Sequence, residues 1–128
     1  MSYRFLPGSE ALLTSNSPCA PFSATFEDDG ATAYFYACNR SRPEKPILDA
    51  VHIYNASQLV ARGEHFIAHI NWSPDGLKAG LQLNGQLHAL LDFAASRAYS
   101  RTNFPPPSGT WAAPAREPWR EQLCELLR

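Results

Sequence analysis

The sequence predicts an α+β domain that is mostly antiparallel β-sheet. Its parts are a hairpin, a single strand and a three-stranded meander, with a short C-terminal α-helix packed on the sheet. Three observations lead there. Apolar and polar residues alternate over residues 22–38 and 65–93, the period of a half-buried strand. Strong turn signals interrupt that alternation at Asp29-Gly30, Ser73-Pro74-Asp75-Gly76 and Asn84-Gly85. The last eleven positions carry an apolar stripe at helical spacing, Trp119, Leu123 and Leu126-Leu127.

The first sixteen residues read as a variable N-terminal segment. Pro7, Gly8 and Glu10 break any apolar run, so the start does not read as a signal peptide. In the hairpin, a two-residue turn at Asp29-Gly30 sets Phe26 opposite Ala33, Ala24 opposite Phe35 and Phe22 opposite Ala37, all on one face. "ILDAVHIYN" follows as a single strand rich in β-branched residues. In the meander, a four-residue turn at residues 73–76 pairs Trp72 with Leu77, Ile70 with Ala79 and Ala68 with Leu81. At Asn84-Gly85 a two-residue loop would mix apolar and polar faces. A three-residue loop with a glycine bulge pairs Leu81 with Leu87 and Ala79 with Ala89, and the hydrophobic pattern selects it. Pro105, Pro106, Pro107, Pro114 and Pro118 mark a stiff surface connection, and Pro118 suits the first turn of the terminal helix. The expected organisation is one domain: an N-terminal segment (1–16), a β body (17–104), a proline-rich connection (105–117) and a helix (118–128).

At 128 residues the chain is long enough for a single core. Its formal net charge of −1 gives no general attraction for phosphate backbones, which argues against nucleic acid as the main partner. No apolar stretch is long enough to span a membrane. Cys19, Cys38 and Cys124 are odd in number and widely spaced, fitting neither a disulfide framework nor a zinc pattern. Reduced thiols in a cytoplasm, with no metal or cofactor, are the expectation.

In those registers His69 lies opposite Gly80, and Gly80 opposite His88, on the face away from the apolar stripe. The two imidazoles would flank a notch about 9–10 Å wide between backbones, with Lys78 as a diagonal neighbour of His88. The plain reading is a half-polar sheet face. The functional reading is a small-molecule site formed by His69, Lys78, Gly80 and His88. Only two metal ligands can be placed there, against the three of a catalytic zinc. His52 and Asp49 point to opposite faces of one strand and make no catalytic pair.

Other positions suggest contact with a partner. Glu27, Asp28 and Asp29 form an acidic hairpin tip that would face a basic surface. Tyr34 and Tyr36 share the hairpin's polar face, and tyrosine is common among interface anchors. Arg97, Tyr99 and Arg101 fall on one side of an extended segment, a carboxylate- or phosphate-gripping strip. The sequence contains no G-x-S-x-G, H-E-x-x-H, Walker or Rossmann motif. Cys38 would need a histidine brought to it by the fold to act as a nucleophile.

Taken in order, "SP" at 17–18, "FEDDG" at 26–30, "YFYA" at 34–37, "ILDA-HIYN" at 47–55, "WSPDG" at 72–76, "LNG" at 83–85, "HA" at 88–89, "DF" at 92–93 and "RTNFPPP" at 101–107 resemble a small bacterial family, domain of unknown function 2251. The resemblance implies a bacterial, cytoplasmic, stand-alone domain and brings no activity, cofactor or catalytic residue. With no complete catalytic set, the leading expectation is a non-enzymatic module that binds another protein. Its specific version is an immunity-type protein that neutralises a toxin. The alternative is a small-molecule-binding domain or weak enzyme using the histidine notch, and a third reading is homodimerisation through an uncovered face.

Overall fold

Period-two alternation folds here into nine strands among the residues that the computed structural model describes, which are 2–59, 63–107, 109–111 and 116–127. They are β1 (Ser2–Phe5), β2 (Ala11–Asn16), β3 (Phe22–Asp28), β4 (Thr32–Asn39), β5 (Ile47–Asn55), β6 (Phe66–Trp72), β7 (Lys78–Leu83), β8 (Gln86–Asp92) and β9 (Arg97–Ser100). Two sheets result, a five-stranded one in the order β1-β6-β7-β8-β9 and a four-stranded one in the order β2-β3-β4-β5. Every neighbouring pair is antiparallel. The chain thus lays down one edge strand, completes the four-stranded sheet, then returns to finish the first.

The inner faces of both sheets share one core. Phe5 packs on Phe26 and Phe66, while Phe93 stacks on Phe22 and Trp72 and meets Trp111 edge-on. Ala24, Phe26, Phe35, Val51, Leu81 and Leu91 are fully enclosed. Two polar links tie the sheets at one end: Trp72 Nε1 donates to Ser15 Oγ (2.9 Å), and Ser17 Oγ donates to the Gly76 carbonyl (2.7 Å). The N-terminal segment, expected only to be variable, supplies β1 and β2. Their short runs carry too little alternation to be read alone, and pairing with β6 and β3 makes them strands.

Three registers differ from the sequence expectation. In the hairpin, Phe26 faces Phe35 and Ala24 faces Ala37, because Asp29, Gly30 and Ala31 all belong to the loop. Asp29 accepts hydrogen bonds from the Ala31 and Thr32 amides, which widens the turn. In the meander, Ile70 faces Leu81 and Ala68 faces Leu83, again a shift of two residues. Ser73 and Asp75 hold each other and the Leu77 and Lys78 amides, so the loop runs through Leu77. A shift of two keeps every side chain on its predicted face. The Asn84-Gly85 turn is a two-residue turn after all, with both residues at positive φ (52° and 81°) as a type I′ turn requires. A β-bulge then restores the pattern: Gln82 faces Leu87, but Leu81 faces Ala89, leaving His88 as the extra residue.

The C-terminal element is a 3-10 helix, Glu121–Leu127, rather than an α-helix from Pro118, so the domain is mostly β with little helix. Seven residues are too few to offset α-helix nucleation unaided, and contacts with the sheet set the conformation instead. The expected stripe does form. Leu123 is enclosed against Leu90 and Tyr99, with Trp119, Leu126 and Leu127 around it. Just before it, Arg116 enters the protein and pairs bidentately with Asp49 (2.8 and 2.9 Å).

Candidate functional site

The outer face of the four-stranded sheet is built in three rows. Strand pairing aligns Leu12, Glu27, Tyr34 and His52 across β2, β3, β4 and β5; then Thr14, Thr25, Tyr36 and Ala50; then Asn16, Ser23, Cys38 and Ile47. Alternation puts these twelve residues outside because their neighbours in each strand are the core residues of the inner face. Phe104, from the segment after β9, extends the first row. The His52 amide donates to the Phe104 carbonyl (2.8 Å), and Thr102 Oγ1 donates to the His52 carbonyl (2.9 Å), which also covers the edge of β5.

The rings of the first row meet edge to face: Tyr34 with His52 at 5.7 Å between centroids and His52 with Phe104 at 5.8 Å, with Tyr36 tilted on Tyr34 at 6.2 Å. The polar groups hold this arrangement. Tyr36 Oη donates to Glu27 Oε1 (3.1 Å), and burial with that carboxylate pushes the phenol up to about 12. His52 Nε2 is 2.8 Å from Asn55 Oδ1, while its Nδ1 is buried without a partner among the described residues. Thr14 and Thr25 join hydroxyls at 3.0 Å. At the margins Leu12, Ile47 and Phe104 are exposed, so apolar surface rims a half-buried aromatic centre. Burial pushes the Cys38 thiol above its ordinary value against a weaker hydrogen bond from Ser23, and the Tyr36 row separates it from His52. Cys38 is therefore not an activated nucleophile. Asp49 and His52 do point to opposite faces, Asp49 inward to Arg116 and His52 outward.

The residues predicted from sequence separate. Glu27, Tyr34 and Tyr36 come together on this face. Asp28 does not: it is buried, taking hydrogen bonds from Tyr54 Oη, the Gly8 amide and the Gly30 amide. Asp29 is at the tip, occupied with turn amides that hold its carboxyl below the usual range. The arginine strip grips the chain's own acids. Arg97 pairs with Glu117 (2.8 Å), Tyr99 Oη donates to Glu117 (3.1 Å), and Arg101 pairs with Glu121 (3.0 Å) while lying over the Trp119 ring.

The histidine notch does not form. His69 lies opposite Gln82 and Ser2, bonded to Ser2 Oγ (2.9 Å), and Asn71 is the residue opposite Gly80. Leu127 and Leu87 fill the space over Gly80, where an added Cβ would come within 2.5 and 2.9 Å of their methyl groups. Lys78 faces Asp92 and lies 3.8 Å from Asp75. The bulge carries His88 to the core side, beside Tyr54, Phe66 and Leu83. His52, Leu12 and Phe104 belong to the aromatic face but do not stand out as binding residues in the sequence, because only the pairing of β2 with β3 and of β4 with β5, and the bond of Phe104 to the edge of β5, put them in one row. Among the described residues no group of three His, Cys, Asp or Glu side chains is placed to hold a metal ion, and no helix is long and apolar enough to cross a membrane.

Comparison with known proteins gives one curated relative, an uncharacterized protein of Haemophilus influenzae, 38% identical over 86 residues. The match covers 67% of this chain and 53% of the relative, so the chain spans about half the length of the curated relative it matches. No solved structure matches significantly. A family profile matches residues 5–128, nearly the whole of both sheets and the C-terminal segment, and the chain therefore belongs to the family described as uncharacterized protein conserved in bacteria (DUF2251).

Proposed function

We propose that the protein is a non-enzymatic binding module that docks another protein on the outer face of its four-stranded sheet. One observation carries this: of the twelve aligned positions on that face, Glu27 is the one aspartate, glutamate, lysine or arginine, and Tyr34 and Tyr36 lie at the centre. Depletion of charge around rigid aromatic side chains is the composition of an interface centre. The opposite outer face already has a cover, the chain's own residues 116–127. In the finer version, the partner is a toxin that the module neutralises inside the producing cell, and a toxin-like neighbouring gene would support it.

Two matched substitutions test the face. Leu12 and Ile67 are exposed (62% and 51%), one on each sheet's outer face, so neither change to aspartate disturbs the core. Tagged wild type, Leu12→Asp and Ile67→Asp are used to capture partners from the native organism. A stoichiometric protein retained by wild type and Ile67→Asp but lost by Leu12→Asp supports the reading. Equal capture by both variants, or no partner for a bait shown to be folded, refutes it.

A further inference from the structure

We propose that the cleft between the end of β5 and the β7–β8 turn binds a small uncharged molecule, one ring or a short chain in size, carrying a hydroxyl or carbonyl group. The cleft encloses about 310 Å³, at the small end of ligand pockets, which run from roughly 300 to 1,000 Å³. Tyr54, Leu59, Phe66 and Leu83 form its walls, with Gln86 and His88 as the polar groups at one side. Asn84 also borders it, but its amide oxygen already accepts from the Ile67 amide (2.9 Å).

The chemistry of the ligand follows from that lining. None of the described lining residues is an aspartate, glutamate, lysine or arginine, and the nearby Arg101 is already paired with Glu121, so an ion entering the cleft would lose water without gaining a free counter-charge. Burial first, and the nearby Arg101 cation second, lower the His88 pKa, which favours the neutral imidazole. A neutral imidazole offers one donor and one acceptor, which suits a hydroxyl or carbonyl. Its placement is the work of the bulge. Without the extra residue, strict alternation would send one of Leu87 and His88 outward and the other inward in step with Ala89. With it, Leu87 faces Gly80 on the outside while both His88 and Ala89 lie on the core side. Bulges commonly re-aim a side chain beside a site in this way. This cleft is in a different part of the molecule from the aromatic sheet face, and neither reading depends on the other.

Phenol is a suitable probe, with benzoate and benzylammonium as charged controls of the same ring size. The full chain, labelled with nitrogen-15, is titrated with each while its amide signals are followed. Saturable shifts centred on Tyr54, Phe66, Leu83 and His88 with phenol are expected, with both ions weaker by about tenfold or more. His88→Ala should weaken phenol about fivefold, the loss of one hydrogen bond. Leu59→Trp, a larger ring placed at the rim, should abolish binding while leaving the spectrum dispersed, and it decides the matter if His88→Ala fails to fold. Absence of saturable shifts, shifts centred elsewhere, ions binding as tightly as phenol, or unchanged binding by Leu59→Trp would each overturn the proposal.

Discussion

Replacing Asp49 by asparagine tests the most deeply buried electrostatic feature of the fold. Side chains of Arg116 and Asp49 are only 2% and 1% exposed. All five guanidinium N–H groups are used. Nε donates to the Pro105 carbonyl, Nη1 to Asp49 Oδ2 and the Ala98 carbonyl (3.2 Å), and Nη2 to Asp49 Oδ1 and the Ala50 carbonyl (3.0 Å). Asp49→Asn keeps the shape and the three carbonyl acceptors but leaves the cation without its counter-charge. Breaking a buried pair from one side costs about 3–5 kcal/mol, and so little exposure leaves solvent no room to screen it. For a chain of this length the entropy of unfolding is roughly 0.27 kcal/mol/K, so Tm should fall by about 11–19 °C. Urea unfolding should show a lower midpoint at unchanged slope.

The double substitution Asp49→Leu with Arg116→Met removes both charges and should recover a substantial part of that loss, because apolar replacement of a buried pair is often neutral. Three carbonyls would still lack the guanidinium, so recovery should be incomplete. A cost below about 1 kcal/mol for Asp49→Asn would refute the reasoning, since an effect that small is typical of solvent-exposed ion pairs.

Other consequences follow from local geometry. Gly76 has φ of 71°, and an added Cβ would lie 2.5 Å from Ser17 Oγ, itself fixed to the Gly76 carbonyl; Gly76→Ala should therefore cost about 2–4 kcal/mol in urea unfolding. Leu123→Ala empties the small outer cluster and should cost about 2–4 kcal/mol, seen as faster amide exchange in residues 117–127 and faster tryptic cleavage after Arg120 while the sheet amides stay protected. In an alkaline titration followed by ultraviolet absorbance, Tyr36 should ionise near 12, with Tyr54 and Tyr99 also above the ordinary value, Tyr54 because burial and then Asp28 oppose its anion. For each, the raised folded pKa means a contribution to stability that is complete below about 10 and is lost as pH rises towards the folded value. For His88 the sign is reversed: its lowered pKa favours the fold above about 6.5, and that advantage disappears as pH falls through the folded value, which proton NMR of the ring would locate.

Much of the fold was legible in sequence because strand faces depend on parity and not on neighbours. Both the hairpin and the first meander turn pair two residues away from the expected register, yet Ala24, Phe26, Phe35, Ile70 and Leu81 still fall in the core. Side chains of Asp29, Ser73 and Asp75 lengthened those loops by bonding nearby amides, an effect that turn dipeptides alone do not reveal. The proposed notch needed more than parity, since it required His69, Gly80 and His88 to be immediate neighbours. A shift of two separated His69 from Gly80, and one extra residue in β8 sent His88 to the other side. Trp119 and Leu123 were legible as an apolar stripe. What they cover, and the Arg116–Asp49 pair across 67 positions of chain, depend on tertiary approach that no local pattern encodes.

The contrast between the two outer faces bears on what kind of partner the bare one would take. The five-stranded sheet presents Leu87, Leu90 and the ring of Tyr99 around Gly80, surface apolar enough that the chain covers it with its own residues 116–127 and secures that cover through Glu117 and Glu121. Among the described residues the four-stranded sheet has no such cover, and it does not need one. Thr14, Thr25 and Asn16 make two of its rows polar, and its exposed apolar side chains, Leu12, Ile47 and Phe104, stand apart at the margin. Scattered apolar groups on a monomer are tolerated in water, unlike a large continuous patch. A permanent partner would permit a face as apolar as the covered one. On the proposed reading, a face that is stable in water yet centred on half-buried tyrosines suits a partner met after the domain has folded alone.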